Sequence, residues 1–457
     1  MQTKSKEKSV FFCKNCGYES PKWMGQCPGC REWNTFSEEP VVKIQKKSGG
    51  AGTKEPLRPL HLSEIVTEDE ERFDPGFEEF KRVLGGGIVP GSLVLVGGDP
   101  GIGKSTLLLQ TSVFVSQEGR KVLYISGEES LRQIKLRAGR TGGSEENLTF
   151  LSAINIDEIT DVMAREKPDL CIIDSIQTMV SEDVQSTAGS VTQVRECAQK
   201  LMVTAKTENI ACFIVGHVTK EGTVAGPRVL EHIVDTVLYF ESGDNGAYRI
   251  LRSAKNRFGS TNEIGVFEMA DKGLREVPNP SEYMLSGRPE NATGACVTCL
   301  LEGTRPMLLE VQGLVTETQF NLARRQALGL DYMRLNLLLA VLEKRGGIHI
   351  GGYDAYINVA GGMKITEPAC DLSVIAAILS SYRNKVIPSD TVIFGEVGLS
   401  GEVRAVPMAK ERVKEAVKLG FRRIILPSLN LKTVGDKDFP DIEIEGVKYI
   451  SELFAIL

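Results

Sequence analysis

The chain has 457 residues, a formal net charge of −6, 42% hydrophobic residues and 25% charged residues. This composition is typical of a soluble globular protein of two to four domains, and the net charge excludes a uniformly basic nucleic-acid coat protein. The chain shows no run of 18 apolar residues, and its N-terminal "MQTKSKEKSV" lacks the apolar core of a signal peptide, so we expect a cytoplasmic protein with no membrane span.

The first 40 residues are predicted to form a zinc ribbon. The pairs "CKNC" and "CPGC" lie ten residues apart, which allows four thiolates to bind one tetrahedral zinc ion. A closed four-sulfur site is structural, and metal binding would supply folding energy that so short a segment cannot obtain from a core. The alternatives are a redox-active dithiol pair and free thiols. The predicted ligands are Cys13, Cys16, Cys27 and Cys30.

Composition divides the rest of the chain into a linker and two domains. Residues 41–60 are rich in Lys, Gly and Pro and are predicted to be a flexible linker. In residues 61–277, apolar runs such as "GSLVLVGG" and "LCIID" alternate with helical patterns, which favours βαβ units around a mostly parallel sheet. A Pro- and Gly-containing break follows, and residues 290–457 are predicted to be a separate α+β domain. The predicted fold class is therefore α/β.

A phosphate-binding loop lies near the start of the central domain. "GGDPGIGKST" matches G-x-x-x-x-G-K-[ST] and stands between an apolar strand and an apolar helix, the context that such a loop requires. Backbone amides would bind phosphate oxygens, Lys104 would reach the β- and γ-phosphates, and Ser105 would bind Mg²⁺. The predicted nucleotide-binding residues are Gly98, Asp99, Pro100, Gly101, Ile102, Gly103, Lys104, Ser105 and Thr106.

Charged and polar residues end three further apolar runs. Asp174 ends "LCIID" and is a candidate Mg²⁺-binding acid. Glu128 and Glu129 follow "LYISG", and hydrolysis needs a carboxylate to activate water, so one of them, Glu128 first, is the candidate general base. The alternative is that both only place negative charge at a helix N-terminus. His217 ends "ACFIVGH", where a sensor role and a structural role are both open.

The segment "SAKNRFGS" places two cations, Lys255 and Arg257, one residue apart beside a predicted turn. The first acid that follows them is Glu263, so the sequence offers no adjacent ion-pair partner on that side.

These motifs together resemble those of the RadA, or Sms, family of bacterial DNA repair proteins. The resemblance rests on the cysteine cluster, "GDPGIGKST", "KNRFG" and "GEVGLSGEVRAV" in this order, and it covers essentially the whole chain. It implies a RecA-like ATPase core, preceded by the zinc ribbon and followed by a Lon-protease-like α+β domain. It also implies a homo-oligomer, a hexameric ring similar in arrangement to replicative helicases.

The function that the resemblance implies is a DNA-stimulated ATPase and helicase-like motor that uses ATP and Mg²⁺. It would bind single-stranded and branched DNA and promote branch migration of recombination intermediates made by the RecA recombinase. In such a ring, Lys255 and Arg257 would reach the ATP of the neighbouring subunit; contact with DNA phosphates or a solvated turn are the alternatives. A different function, an ATP-switched ring scaffold that recruits repair partners without translocation, also stays open.

DNA would lie in the central channel of the ring, against the segments "SEDVQSTAGSVTQ" and "TKEGTVAGPRV". Lys220 and Arg228 are the candidate phosphate-binding residues there.

The C-terminal domain is expected to be proteolytically inactive. The Lon-like enzymes use a serine and a lysine, and in "ITEPACDLSVIAA" the position of the family serine, after Pro368, is Ala369. Lys410 is the residue that matches the family lysine. The pair "CVTC", with Cys296 and Cys299, is predicted to pack in the core rather than to bind metal.

Overall fold

The computed structural model describes residues 9–13, 18–29, 31–40, 72–139, 147–217, 229–242, 248–289, 291–319, 322–435 and 438–457. Within these ranges the chain forms two compact units, the first running to Glu276 and the second from Val277. None of the helices in the described part is both long enough and apolar enough to span a bilayer.

Several predicted features fall outside the described residues. They are the linker 41–60, two of the four cysteines, Cys16 and Cys30, and the candidate DNA-binding residues Lys220 and Arg228.

The N-terminal segment contains a small antiparallel sheet. Its strands are β1 (Ser9–Cys13), β2 (Glu19–Ser20) and β3 (Phe36–Pro40), in the order β2-β1-β3. Cys13 and Cys27 are fully buried and form a small cluster with Phe36. The first cysteine of each pair therefore points into the interior of this module, as a structural metal site requires.

The central domain is built on a nine-stranded sheet in the order β12-β11-β10-β9-β4-β8-β7-β5-β6. Strands β4 to β9 are parallel, and β9 to β12 continue the sheet as antiparallel neighbours. The strands are β4 (Leu93–Gly98), β5 (Val122–Ser126), β6 (Leu148–Ser152), β7 (Leu170–Asp174), β8 (Ala211–His217), β9 (Thr236–Ser242), β10 (Tyr248–Asn256), β11 (Ile264–Ala270) and β12 (Gly273–Glu276).

Helices cover both faces of this sheet. They are α1 (Glu78–Leu84), α2 (Lys104–Gln117), α3 (Leu131–Ala138), α4 (Ile156–Glu166) and α5 (Val191–Glu208). Alternate residues of β4 enter two separate cores: Val94 and Val96 pack with α1 and α2, whereas Leu93 and Leu95 pack with α4 and α5. Burial on both faces explains why β4, β5 and β7 are uninterrupted apolar runs.

The register of the parallel strands brings the sequence motifs together. Gly98, at the end of β4, pairs with His217 at the end of β8, and Ser126, at the end of β5, pairs with Asp174 at the end of β7. Because the carboxyl ends of parallel strands share one edge of a sheet, the residues that follow these strands meet there.

The second unit is an α+β domain with a seven-stranded sheet in the order β15-β16-β14-β13-β17-β20-β21. Its strands are β13 (Ala295–Glu302), β14 (Arg305–Glu317), β15 (Arg325–Leu328), β16 (Tyr353–Val359), β17 (Thr391–Ile393), β18 (Glu396–Val397), β19 (Val403–Arg404), β20 (Arg423–Pro427) and β21 (Glu443–Val447). Strands β18 and β19 form a separate two-stranded sheet. The helices are α6 (Pro280–Met284), α7 (Tyr332–Gly346), α8 (Asp371–Arg383), α9 (Ala409–Lys418), α10 (Leu431–Val434) and α11 (Ile450–Ile456). Cys296 and Cys299 are buried in β13, as predicted.

Candidate nucleotide-binding site

The loop between β4 and α2 is shaped to receive phosphate groups. Gly98 and Gly103 have φ angles of 151° and 118°, in the region that favours glycine, and a Cβ at Gly98 would lie 2.6 Å from the carbonyl oxygen of Phe240. Helix α2 begins at Lys104, and no side chain caps its N-terminus. The amides of its first turn therefore remain available for an anion, and the loop fits the triphosphate of a nucleotide.

The Lys104 side chain lies over this loop. Its side chain is buried, and Nζ donates hydrogen bonds of 2.8 Å to the Gly98 carbonyl and 2.9 Å to the Asp99 carbonyl. Burial lowers the pKa of Lys104 to about 8, against the opposing effect of nearby acids, chiefly Asp174. A bound polyphosphate would stabilise the charged form of Lys104, and the attraction between the two would strengthen binding of the polyphosphate.

Asp174 and Ser105 offer oxygen ligands suited to Mg²⁺. Asp174 is buried at the end of β7, and its Oδ2 accepts a 2.5 Å hydrogen bond from the Tyr124 hydroxyl. Burial and the Asp174 charge raise the pKa of Tyr124, which keeps this hydroxyl a donor. The other oxygen, Oδ1, accepts no hydrogen bond from the described residues. Bound there, Mg²⁺ would neutralise charge on the β- and γ-phosphates.

The structure separates the two candidate general bases. Glu128 accepts a hydrogen bond from the Ser175 hydroxyl, and its carboxylate lies 3.4 Å from Nε2 of His217. Glu129 is held elsewhere: its carboxylate pairs with Arg137 at 3.1 Å, and its amide donates to Ser126. Glu128 is therefore the better placed of the two to act on a water molecule in front of the phosphates.

His217 lies at this edge, at the end of β8. Burial and, secondly, the charge of Lys104 lower its pKa. Although Glu128 is close, neither ring nitrogen has a well-formed hydrogen bond within the described structure. The His217 carbonyl accepts a 3.2 Å hydrogen bond from Gln177, which follows β7. A ring with free hydrogen-bonding capacity beside Glu128 is suited to respond to a nucleotide.

The two cations of "KNRFG" are engaged within the chain, contrary to the sequence-based picture of an unpaired pair. Lys255 is still part of β10, and Nζ donates to the carbonyls of Glu231 (2.7 Å) and Val234 (2.8 Å). Arg257 forms a 3.0 Å ion pair with buried Asp235. These partners could not be recognised from the sequence. They precede the cations along the chain, and only the pairing of β9 with β10 brings them close.

The remaining residues of this motif have structural roles that sequence reasoning missed. The Asn256 side-chain amide donates to the carbonyls of Val83 (3.3 Å) and Leu84 (3.2 Å) at the end of α1. Gly259 packs so closely on Gly85 that a Cβ on Gly259 would lie 2.8 Å from the Gly85 Cα. The run of three glycines that begins at Gly85 was the available signal for such a close approach.

The candidate DNA-binding segment at residues 181–193 lies in the described part of the chain and is held in place by hydrogen bonds. Gln193 is buried and donates to the carbonyls of Val184 (2.9 Å) and Ser186 (3.0 Å). Lys200, from α5, bonds Ser181 at 2.8 Å. The segment has no Lys or Arg of its own, so any phosphate contact from it would use hydroxyls, side-chain amides or backbone amides.

In the C-terminal domain, Lys410, the predicted match to the family lysine, lies on the surface. Its Nζ lies 2.6 Å from Asp438 in an ion pair on the surface. The basic side chain that reaches the segment before Ala369 is Arg412, which is fully buried and pairs with Glu367. Two positions along α9 separate these residues, and a rotation of about 200° around the helix decides which one faces inward.

The different settings of Glu128 and Glu129 predict different mutant phenotypes. Glu128→Gln should lower ATP turnover about a hundredfold or more, because a general base contributes about 10²–10⁴ in rate. Glu129→Gln should lower it far less at saturating Mg²⁺, since a partly exposed ion pair is worth about 1 kcal/mol or less. Steady-state ATP hydrolysis measures both, and a larger loss in the Glu129 variant would reverse the assignment.

Three family models match parts of the chain. Residues 56–223 match an AAA domain, residues 11–38 match a rubredoxin metal-binding domain, and residues 339–430 match subunit ChlI of Mg-chelatase. These matches confirm the predicted fold class, an ATPase core between a zinc ribbon and a Lon-like domain. The exact domain boundaries stay predictions.

Whole-chain relatives are close. The chain is 52% identical to the DNA repair protein RadA of Listeria monocytogenes and 51% identical to that of Bacillus subtilis, each over 98% of both chains. A solved KaiC-like protein from Pyrococcus horikoshii OT3 overlaps 46% of this chain and 99% of its own, with 20% identity and a TM-score of 0.38, which says nothing about function. The resemblance seen in the motifs is thereby confirmed, and the chain belongs to the RadA family of DNA repair proteins, with an AAA-type ATPase domain.

Proposed function

We propose that this chain is a DNA-stimulated ATPase and helicase-like motor of recombinational repair. A hexameric ring of it would bind single-stranded and branched DNA in its channel and drive branch migration of intermediates made by the RecA recombinase. Its relatives' name, DNA repair protein RadA, supports a DNA substrate. We place this activity in the cytoplasm, with ATP and Mg²⁺ as cofactors and zinc as the structural metal of the ribbon.

The observation that supports a motor most directly is that Glu128 contacts Ser175 and His217, which follow β7 and end β8, and the two candidate DNA segments come after these residues in the sequence. Glu128 bonds Ser175, which leads through Gln177 into residues 181–193, and it approaches His217, after which residues 219–229 follow. The Gln177–His217 hydrogen bond joins the two starting points. A nucleotide-dependent movement of Glu128 would thus displace the residues that precede both segments, and this would couple ATP hydrolysis to DNA binding.

Within the ring, each subunit would complete its neighbour's site. Lys255 and Arg257 are the proposed donors to the neighbouring triphosphate, where a cation stabilises the charge that develops during phosphoryl transfer. Lys220 and Arg228 are the proposed DNA-phosphate ligands. Cys13, Cys16, Cys27 and Cys30 are the proposed zinc ligands, supported by the two buried first cysteines and by the rubredoxin-type match.

The C-terminal domain is proposed to serve assembly and not proteolysis. Ala369 offers no hydroxyl, and the neighbouring Ser373 hydroxyl is buried and donates to the Cys370 carbonyl. Burial raises the pKa of the Cys370 thiol to about 12, so no thiolate forms there. Arg412, the basic residue of α9 that faces the interior, is occupied by its ion pair with Glu367.

DNA stimulation distinguishes the motor from an ATP-switched scaffold. The motor should hydrolyse ATP at least about tenfold faster with single-stranded DNA, within the range of about 5–150-fold that is typical of coupling between two sites, and should displace a strand from a forked duplex. ATP hydrolysis by the full-length protein is measured with and without poly(dT), and strand displacement is measured on a forked duplex. An ATPase rate that ignores DNA, with no strand displacement, would favour the scaffold.

A further inference from the structure

Three polar side chains joined by hydrogen bonds, those of Glu129, Arg137 and Tyr124, lead to the carboxylate of Asp174. The Glu129 carboxylate pairs with Arg137 at 3.1 Å, Arg137 donates to the Tyr124 hydroxyl at 3.3 Å, and Tyr124 donates to Asp174 Oδ2 at 2.5 Å. Tyr124 is fully buried, and Asp174 is only 6% exposed. These hydrogen bonds hold the plane of the Asp174 carboxylate in one orientation, which exchanging water molecules would not do.

The residues around Arg137 hold its side chain in a fixed position. Arg137 stands in the last turn of α3, and the N-terminus of α3 is closed by a capping box in which Ser130 and Gln133 bond each other. The Glu129 amide donates to Ser126 at 2.9 Å, which ties the start of the helix to the end of β5. Ile134 is the fully buried anchor of the same helix. The guanidinium is therefore held at a defined distance from the sheet.

That distance matters because Arg137 almost reaches Asp174 itself. Its Nη2 lies 3.9 Å from Asp174 Oδ2, beyond hydrogen-bond range, and the Tyr124 hydroxyl stands between them. A direct, buried arginine–carboxylate pair is strong and often bidentate, and it would occupy the oxygens that a metal needs. The neutral Tyr124 hydroxyl accepts a hydrogen bond from Arg137 and donates one to Asp174, and the negative charge of Asp174 stays available to a metal ion.

We propose that Tyr124 is a positioning residue for Asp174: its hydroxyl fixes Oδ2, holds the Arg137 guanidinium one hydrogen bond away and leaves Oδ1 for the Mg²⁺ of the bound nucleotide. This inference rests on the proposed Mg²⁺ role of Asp174. Residues behind a metal ligand commonly change metal affinity by about 10–100-fold when they are replaced.

The test is Tyr124→Phe in the full-length protein, which removes the hydroxyl and keeps the ring. Arg137 should then close on Asp174 and compete with Mg²⁺. ADP affinity is measured by calorimetry with Mg²⁺ and with EDTA, and the ratio of the two dissociation constants gives the benefit from Mg²⁺. We expect Tyr124→Phe to reduce that benefit about tenfold or more, and Tyr124→Phe with Arg137→Gln to regain most of it. An unchanged benefit, or no recovery in the double variant, overturns the proposal.

Matched variants separate this outcome from misfolding and from failure of the proposed function. Tyr239→Phe, which removes another tyrosine–carboxylate hydrogen bond (2.8 Å to Glu231), should leave the benefit unchanged. If Tyr124→Phe does not fold, Arg137→Gln alone still decides: the benefit should persist, and a tenfold loss contradicts the competition. Asp174→Asn tests the metal role by itself, because that role fails if the benefit survives there, whatever Tyr124 does.

Discussion

Replacing Lys104 by alanine should lower ATP hydrolysis about a thousandfold and abolish strand displacement. The loss of one preorganised donor to developing phosphate charge costs about 10²–10³ in rate, and Lys104 also supplies the one buried ammonium over the loop among the described residues. Its hydrogen bonds to the Gly98 and Asp99 carbonyls hold the ammonium beside the phosphate-binding loop. ATP hydrolysis and displacement on a forked duplex measure the effect.

The matched control is Lys121→Ala, which removes an exposed lysine from the same domain. It should keep wild-type turnover and wild-type strand displacement. Because Lys104 is buried with a lowered pKa, its removal also takes away a desolvated charge, so thermal melting should change little. Turnover of the Lys104 variant within about tenfold of wild type would contradict the role assigned to this side chain.

Arg257→Ala and Lys255→Ala should leave a folded ring that binds nucleotide but neither hydrolyses ATP at a useful rate nor unwinds DNA. A cation supplied by a neighbour contributes about 10³–10⁵ in rate to phosphoryl transfer. In the chain described, Arg257 is about half exposed and pairs with buried Asp235, which keeps Lys206 as a second cation at 3.3 Å. Arg257 can therefore leave Asp235 for a neighbouring phosphate without stranding a buried charge.

Arg252→Ala is the control on the same strand. Arg252 lies 3.5 Å from Glu241 in an exposed ion pair, whose loss is worth about 1 kcal/mol or less. That variant should unwind DNA normally. Fluorescent nucleotide binding, single-turnover hydrolysis and fork displacement separate binding from chemistry. Normal unwinding by the Arg257 and Lys255 variants would show that these cations serve only the contacts within their own chain.

The sheet edge of the site could be predicted from sequence because it depends on short-range patterns. Each apolar run ends where a polar residue begins, as at Asp174 and His217, and parallel strands must place those ends together. The glycine loop before Lys104 follows from its motif and its position between strand and helix.

Side-chain partners across the fold could not be predicted in this way. Tyr124 and Asp174 are 50 residues apart, and their hydrogen bond depends on the register between β5 and β7. Whether Lys410 or Arg412 faces the core depends on how α9 is rotated about its axis, and the sequence alone does not fix that rotation. Pairing of Arg257 with Asp235 likewise required the β9–β10 hairpin, which the charge pattern alone does not reveal.

Mixing two inactive variants tests most directly whether one subunit completes the site of the next. Lys104→Ala protein retains Lys255 and Arg257, and Arg257→Ala protein retains an intact phosphate-binding loop. In an equimolar mixture of exchanging subunits, about a quarter of the interfaces join an intact loop to an intact cation, so DNA-stimulated ATP hydrolysis should recover to about a quarter of the wild-type rate. If the mixture stays as inactive as its components, the cations do not act on a neighbouring subunit.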